Sequence, residues 1–285
     1  MALALMLVAA IVLAGAACSG GNGYSPTPTP AATTGAGQSP GASVTSAPAS
    51  TKPDTQYVDA LNAAASALPL DLAQGNKLGS DNAPLKMFTF VDFQCPYCLR
   101  FAATQEPTLI SEYVKTGKLQ IIAQMFPILG QESVLAAVAG QCAAAQDKFW
   151  QFYDHLYLVE AQAGQVSNEQ RDVGRLSRDN LVKYATDLGM DPARFNTCFD
   201  DPATLSAVQD SVDNGHNFGI TGTPGFVINN VSHGSGAPAS LDAWRQILDA
   251  ALRATPVASP TTAAANAAWA RRSSDSAGPV GSATR

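Results

Sequence analysis

Cys95 and Cys98, separated by Pro96 and Tyr97, are the residues of this chain whose type and spacing can do chemistry together. Two thiols three positions apart close a small disulfide ring with little rearrangement. At a helix start the first of them faces unpaired amides and the positive end of the helix dipole, which favour its thiolate. A sulfur with a lowered pKa is both a nucleophile and a good leaving group. On this reading Cys95 lies exposed at the helix start and exchanges with a substrate, while Cys98, one turn further in, resolves the mixed disulfide. The same spacing also serves half a zinc site or a purely structural disulfide. A closed zinc site needs four ligands, and no second Cys-x-x-Cys or neighbouring Cys/His pair supplies them, so neither a metal nor another cofactor is expected.

Such a dithiol needs a strand before it and a helix after it. The run Leu85 to Phe93 is aromatic and branched without a breaker, as in a buried strand, and it leads straight into Gln94 and Cys95. Leu99 to Tyr113 are helix formers, with a kink expected at Pro107. A second strand follows at Leu119 to Phe126, so the dithiol falls at the first junction of a strand, helix, strand unit with parallel pairing. Upstream, Gln56 to Ala67 is amphipathic, and Leu70 to Leu78 is expected as one short strand.

From Gly130 to about Gly215 the apolar period is helical throughout, with Asp191-Pro192 and Asp201-Pro202 each reading as an N-cap followed by proline at the first helical position. Phe149, Trp150, Phe152 and Tyr153 are expected in the core. Gly225 to Asn229 returns to strand character, and Ser240 caps a last amphipathic helix carrying Leu241, Trp244, Leu248 and Leu252. The fold class is therefore α/β, with a helical insertion between the two halves of one unit.

Both ends differ in composition from this core. Residues 1–18 are apolar and small and end at Cys18, the pattern of an export signal; Leu13 to Cys18 resembles a bacterial lipobox, in which Cys18 is lipidated. Residues 19–54 are Ser, Thr, Pro, Gly and Ala with almost no large apolar side chain, and are expected to act as a flexible tether. Residues 255–285 are similar and are assigned no structure. The folded part divides into 55–126, the helical insertion 127–215, and 216–254. The chain is expected outside the cytoplasm, lipid-anchored to the outer face of a bacterial cytoplasmic membrane.

A net charge of −6 with no clustered basic patch argues against a nucleic-acid partner. Of five cysteines, setting Cys18 aside leaves an even number, which suits two disulfides in an exported chain. Cys142 and Cys198 fall on separate expected helices, where a structural disulfide is the economical reading; two buried free thiols are the alternative. His155, His216 and His233 have no spacing for a metal site or a nucleophile–base pair and are taken as surface or capping residues.

Asn82-Ala83-Pro84, Asp92-Phe93-Gln94, Cys95-Pro96-Tyr97-Cys98, Phe101, Gly117-Lys118, Phe126-Pro127, Lys148-Phe149-Trp150 and Gly222-Thr223-Pro224 together resemble the DsbA-like branch of the thioredoxin superfamily, over roughly Gln56 to Arg253. The resemblance implies a thioredoxin-like fold and oxidation of cysteine pairs in exported, unfolded or reduced polypeptides. It further implies a cis Pro224 which, with Thr223, pairs with the substrate backbone beside the dithiol, and re-oxidation by a membrane quinone-linked thiol oxidase. Two positions depart from the family pattern. A buried acid often stands six residues before the first cysteine, and here that residue is Thr89; Asp92 is a weak substitute, because it has the opposite strand parity. The strongest oxidants carry His at the second intervening position, where this chain has the neutral Tyr97, so a milder oxidant is expected. An envelope reductase or isomerase, and a chaperone-like binding module, are the competing functions.

Overall fold

A computed structural model describes residues 54–255. Helix α1 (Thr55–Ala67) ends before Pro69, and a single 3-10 turn, Leu70–Leu72, follows. The segment expected as one strand is instead a two-residue-per-arm hairpin, β1 (Ala73–Gln74) and β2 (Lys77–Leu78). Gly75, at φ +53°, turns the chain between them, which a continuous strand forbids.

Strand β3 (Leu85–Val91) carries no exposed residue, in keeping with its unbroken apolar run. Helix α2 (Pro96–Thr104) begins within the dithiol. The expected kink at Pro107 falls earlier: α2 stops at Gln105, α3 (Glu106–Leu109) restarts with Pro107 in its first turn, and a π-helical turn, Ile110–Val114, completes the crossover. Proline is tolerated in a first turn, where its missing N–H is not needed, so the chain restarts a helix around it. Strand β4 (Leu119–Met125) then pairs parallel with β3, Leu85 opposite Leu119 and Val91 opposite Met125.

Helices α4 (Gln131–Ala144), α5 (Phe149–Gln162), α6 (Arg178–Asp187), α7 (Pro192–Asp200) and α8 (Pro202–Asn217) fill the interval before the sheet resumes. Asp191 and Asp201, each just before a proline, cap α7 and α8, Asp191 accepting the amides of Ala193 and Arg194 and Asp201 that of Ala203. The helical period is not continuous, however: residues 163–177 form a loop whose polar side chains reach Gln94, next to the dithiol. Strand β5 (Gly225–Ile228) turns through Asn229 and Asn230, both at positive φ, into β6 (Val231–Ser235), an exposed strand that sequence reading missed. The Asn-Asn pair is a hairpin signal, but an edge strand without buried residues shows no apolar run. Ser240 caps α9 (Leu241–Ala254), its hydroxyl accepting the Ala243 amide at 3.2 Å.

The sheet order is β1-β2-β4-β3-β5-β6, with the dithiol strand near the middle. One face packs Phe88, Phe90, Ile122, Phe126 and Val227 under α8. Gly215 allows this approach, because a Cβ there would come within 2.6 Å of the Phe126 ring. The other face is continuous with the helices: Met87, Val91, Phe101, Phe149, Tyr153, Leu181, Phe195, Phe226 and Trp244 belong to one cluster. The aromatic stripe of α5 is thus core, and it lies under α2. Among the described residues no helix is long and apolar enough to cross a membrane. Residues 1–18, the tether and the tail assigned to 255–285 lie outside the described residues apart from Asp54 and Thr255.

Candidate active site

Cys95 is the N-cap of α2. Its backbone is extended (φ −77°, ψ 117°), Pro96 takes the first helical position, and the Cys95 Sγ accepts the Cys98 amide at 3.4 Å. Ser or Asp oxygen usually fills that acceptor role. Here a sulfur does, so the unpaired amides of the first turn stabilise negative charge on it. The Cys95 thiol also reaches the Thr223 carbonyl at 3.3 Å, and the Thr223-Pro224 peptide bond is cis.

The two sulfurs are driven in opposite directions. Cys95 is lowered, first by hydrogen bonding from Cys98, then by the Thr223 side chain and the amides of Cys98 and Tyr97, against the opposing effect of burial. Cys98, wholly enclosed, is pushed well above an ordinary thiol by burial, by its hydrogen bond to Cys95 and by repulsion from charge there. A pair so divided holds one ready thiolate and one stored proton.

Cys95 does not lie open, contrary to the sequence expectation. Only 3% of its surface is exposed, because its thiol folds back against the Thr223-Pro224 turn, whereas Tyr97 stands out at 62%. Arg100 places its guanidinium over the Tyr97 ring, 5.6 Å from the centroid.

Asp92 is not directed at the thiols. Its carboxylate accepts the amides of Gln94 (2.9 Å), Ile128 (2.8 Å) and Leu129 (3.0 Å) and the Ser133 hydroxyl (2.7 Å). Burial raises its pKa and these four bonds oppose the rise, so the group is occupied in holding the loop after β4 against the loop before α2. Gln94 extends this clamp: its amide donates to Ser133 at 2.8 Å, its Oε1 accepts the Asp172 amide at 2.8 Å, and its carbonyl accepts from Gln165 at 2.7 Å. The sequence names Gln94 only as part of a motif and gives neither it nor the 163–177 loop this clamping role, because the partners are 71 and 78 residues away. Thr89 is buried at 1%, and its hydroxyl has no partner among the described residues.

Cys142 and Cys198 are bonded to each other, with Cα atoms 5.7 Å apart, and join α4 to α7. His216 packs edge-on against Phe126. Among the described residues no group of three or more His, Cys, Asp or Glu could hold a metal ion.

A thioredoxin-type sheet with a Cys-x-x-Cys N-cap beside a cis proline defines the thiol-disulfide oxidoreductase class. A family model described as thioredoxin matches residues 73–250, more than half of the chain, and the chain belongs to that family. A protein of Bacillus cereus named probable disulfide bond formation protein D is 29% identical over 181 residues, 62% of this chain and 78% of that one. The oxidised crystal structure of BdbD from Bacillus subtilis matches with a TM-score of 0.54 at 23% identity, covering 63% of this chain and 93% of that one. Wolbachia pipientis α-DsbA1 matches at 0.52 and 22% identity, over 63% and 92% of the two chains. The structural likeness carries the fold, and with the relatives it makes this chain a DsbA-like thiol-disulfide oxidoreductase.

Proposed function

We propose that this enzyme works as an oxidase, forming disulfides in exported polypeptides through Cys95 and Cys98. The observation that carries this reading is the opposed perturbation of the two sulfurs, with Cys95 favoured as thiolate and Cys98 held as thiol. A substrate thiolate attacks Cys95, the Cys95–Cys98 bond breaks, and its electron pair passes to Cys98. A second substrate thiolate then attacks its own sulfur in the mixed disulfide and expels Cys95 as the better leaving group. Stabilising the reduced enzyme through the Cys95 thiolate makes the disulfide form oxidising.

The surface around the dithiol suits an unfolded chain. Tyr97, Ile128 and Val173 are exposed at 62%, 44% and 52%, and the Asp92 and Gln94 bonds tie Ile128 and the neighbour of Val173 to the same loop. Scattered apolar side chains around a reactive sulfur recognise extended polypeptide without demanding a sequence, while Thr223 and Pro224 are placed to meet its backbone. A membrane quinone-linked thiol oxidase is the proposed re-oxidant. Cys18 as lipid anchor and residues 19–54 as spacer complete the proposal, with the enzyme outside the cytoplasm on the outer face of the cytoplasmic membrane.

Cys98→Ala, produced in an export-competent bacterium, tests the function. It is expected to accumulate reductant-sensitive adducts between Cys95 and exported proteins; a clean absence of adducts, with the variant folded, rules out the exchange mechanism. The direction of flux is read from the reduction potential of the pair. A value as low as that of a cytosolic thioredoxin would move the assignment to an envelope reductase.

A further inference from the structure

Cys98 has no contact with solvent, yet each exchange cycle must put a proton on its sulfur and take it off again. Three side chains that the site described so far does not use lie on its inner side. Cys98, Ala102 and Glu106 follow one another at four-residue steps, so Glu106 continues the buried stripe of α2 into α3. Across from it, α5 presents two adjacent stripes. Tyr153 and Tyr157 pack against the residues that lead into the dithiol, Tyr153 with its ring centroid 5.9 Å from that of Phe93 and the Tyr157 hydroxyl donating to the Asp92 carbonyl at 3.2 Å. Trp150 and Asp154 line a cavity of about 120 Å³ together with Ala102, Glu106, Ser111 and Lys115.

This cavity is large enough for water, which needs roughly 10–15 Å³ by the same measure, and its mostly apolar lining holds two acids, Glu106 and Asp154, with Lys115. Among the described residues neither Glu106 nor Asp154 is in an ion pair. Lys115 spends its ammonium on the Ala67 carbonyl at 2.9 Å. Asp154 is 8% exposed with one carboxylate oxygen unpartnered, and the wholly buried Tyr153 hydroxyl has no partner either. Tyr153 feels both Cys98 and Glu106, so its phenol stands within electrostatic range of the sulfur on one side and the carboxyl on the other. It opposes the rise of the Glu106 carboxyl, although among the described residues its hydroxyl closes no hydrogen bond to Glu106 or to Cys98, so the relay needs both contacts to form during the cycle.

We propose that Glu106, acting through the Tyr153 hydroxyl, exchanges the Cys98 proton with solvent in the cavity between α1, α3 and α5. The proposal rests on Cys98 being the inner, resolving thiol. When a substrate thiolate opens the Cys95–Cys98 bond, the Tyr153 O–H gives its proton to the Cys98 sulfur and takes one from the Glu106 carboxyl. The carboxylate is then reprotonated from the cavity side. The two electrons come from the two substrate thiols, and their protons leave to solvent. When the enzyme is re-oxidised, the path runs backwards and Glu106 accepts the Cys98 proton.

The chemistry of the cluster agrees. Burial, with repulsion from Asp154 second, lifts Glu106 to about 8, and burial lifts Asp154 to about 7. Glu106 is therefore protonated at neutral pH and can donate, while remaining close enough to its titration to accept. Burial and the charges of Glu106, Cys98 and Asp154 keep Tyr153 neutral, as a relay must be. Glu106 is a positioning residue for this proton, since it acts on the sulfur through another side chain.

The test is single-turnover reduction of the oxidised enzyme by a thiol peptide, with rates divided by the peptide's thiolate fraction and followed across about pH 5 to 9. Wild type is expected to lose rate as Glu106 deprotonates. Glu106→Gln and Tyr153→Phe are each expected to be about tenfold slower at neutral pH with that limb gone, and Glu106→Asp to recover part of it. A limb unchanged in both variants overturns the proposal. If the variants do not fold, carboxyl carbon NMR of wild type decides: the Glu106 titration must move between the oxidised and reduced enzyme, and identical titrations overturn the relay. Loss of Cys98→Ala adducts would instead remove the function beneath it, so the two failures are told apart.

Discussion

The two cysteine pairs sit at opposite ends of their helices, and that placement separates a reagent from a rivet. Cys95 caps the N-terminus of α2, where unpaired amides and the positive dipole end favour a thiolate. Cys142 and Cys198 both lie two residues before the last residue of their helices, α4 and α7, where orphan carbonyls disfavour one. A sulfur that leaves poorly makes a disulfide that exchanges poorly. The chain spacing points the same way: Cys95 and Cys98, three positions apart, close a ring with little cost in either redox state. The separation of 56 residues in the other pair removes much more freedom from the unfolded chain.

The sharpest way to break this contrast is to titrate both bridges with a thiol buffer and follow them by alkylation and mass. The Cys95–Cys98 bond is expected to be reduced first, with midpoints apart by at least about 90 mV, a thousandfold in equilibrium constant. Coincident reduction would erase the distinction. Next in size is the double variant Cys142→Ala, Cys198→Ala. It is expected to lose about 4 kcal/mol of unfolding free energy, from the loop of 56 residues that the bridge closes. Where the variant remains folded, its exchange rate with a thiol peptide should stay within about twofold of wild type, because neither sulfur perturbs Cys95. A large loss of rate in the folded variant would mean that the helical segment positions the dithiol through this bridge.

The pairs also differ in their charged surroundings, and pH sharpens that difference. Glu106 and Asp154 are raised from 4.5 to about 8 and from 3.8 to about 7. The folded protein therefore holds their protons more tightly than the unfolded chain does. Their stabilisation is complete below the unfolded values and is lost as pH rises through about 7 to 8. Denaturant unfolding should show stability falling by about 2 kcal/mol between about pH 5 and 8, less than full linkage because the cavity admits water. Glu106→Gln should remove about half of that fall. A flat profile in wild type contradicts the buried, protonated state of the pair.

The sequence discloses the parts of this site that local chemistry dictates. A dithiol between an aromatic strand and a helix is visible because strand, N-cap and proline are contiguous, and the fold follows from the same run. What is not legible is anything assembled from a distance. Asp92 is a weak substitute acid on parity alone, and only the folded chain shows the amides of the loop after β4 that it holds. The burial of Cys95 depends on a turn 128 residues away. Glu106 was within reach, because counting four and eight residues on from Cys98 places it on the buried side. Its neighbour Pro107 drew attention to a kink instead.

Tyr97 offers the smallest and cleanest change. It is the most exposed residue of the dithiol loop, and its ring is paired with Arg100. Replacing it by His sets an imidazole two positions into the helix, beside the sulfur whose lowered pKa already stabilises the reduced enzyme. Partial protonation of that ring adds a charge interaction that only the thiolate feels, so the Cys95 pKa should fall further and the disulfide become a stronger oxidant. An interaction of one partly screened charge implies about a tenfold change in the exchange equilibrium, close to 30 mV for a two-electron couple. Iodoacetamide alkylation against pH reads the thiolate, and equilibration with glutathione reads the potential. Because the mechanism ties the two together, a Cys95 pKa that drops while the potential stays fixed would show that something other than the thiolate sets the driving force.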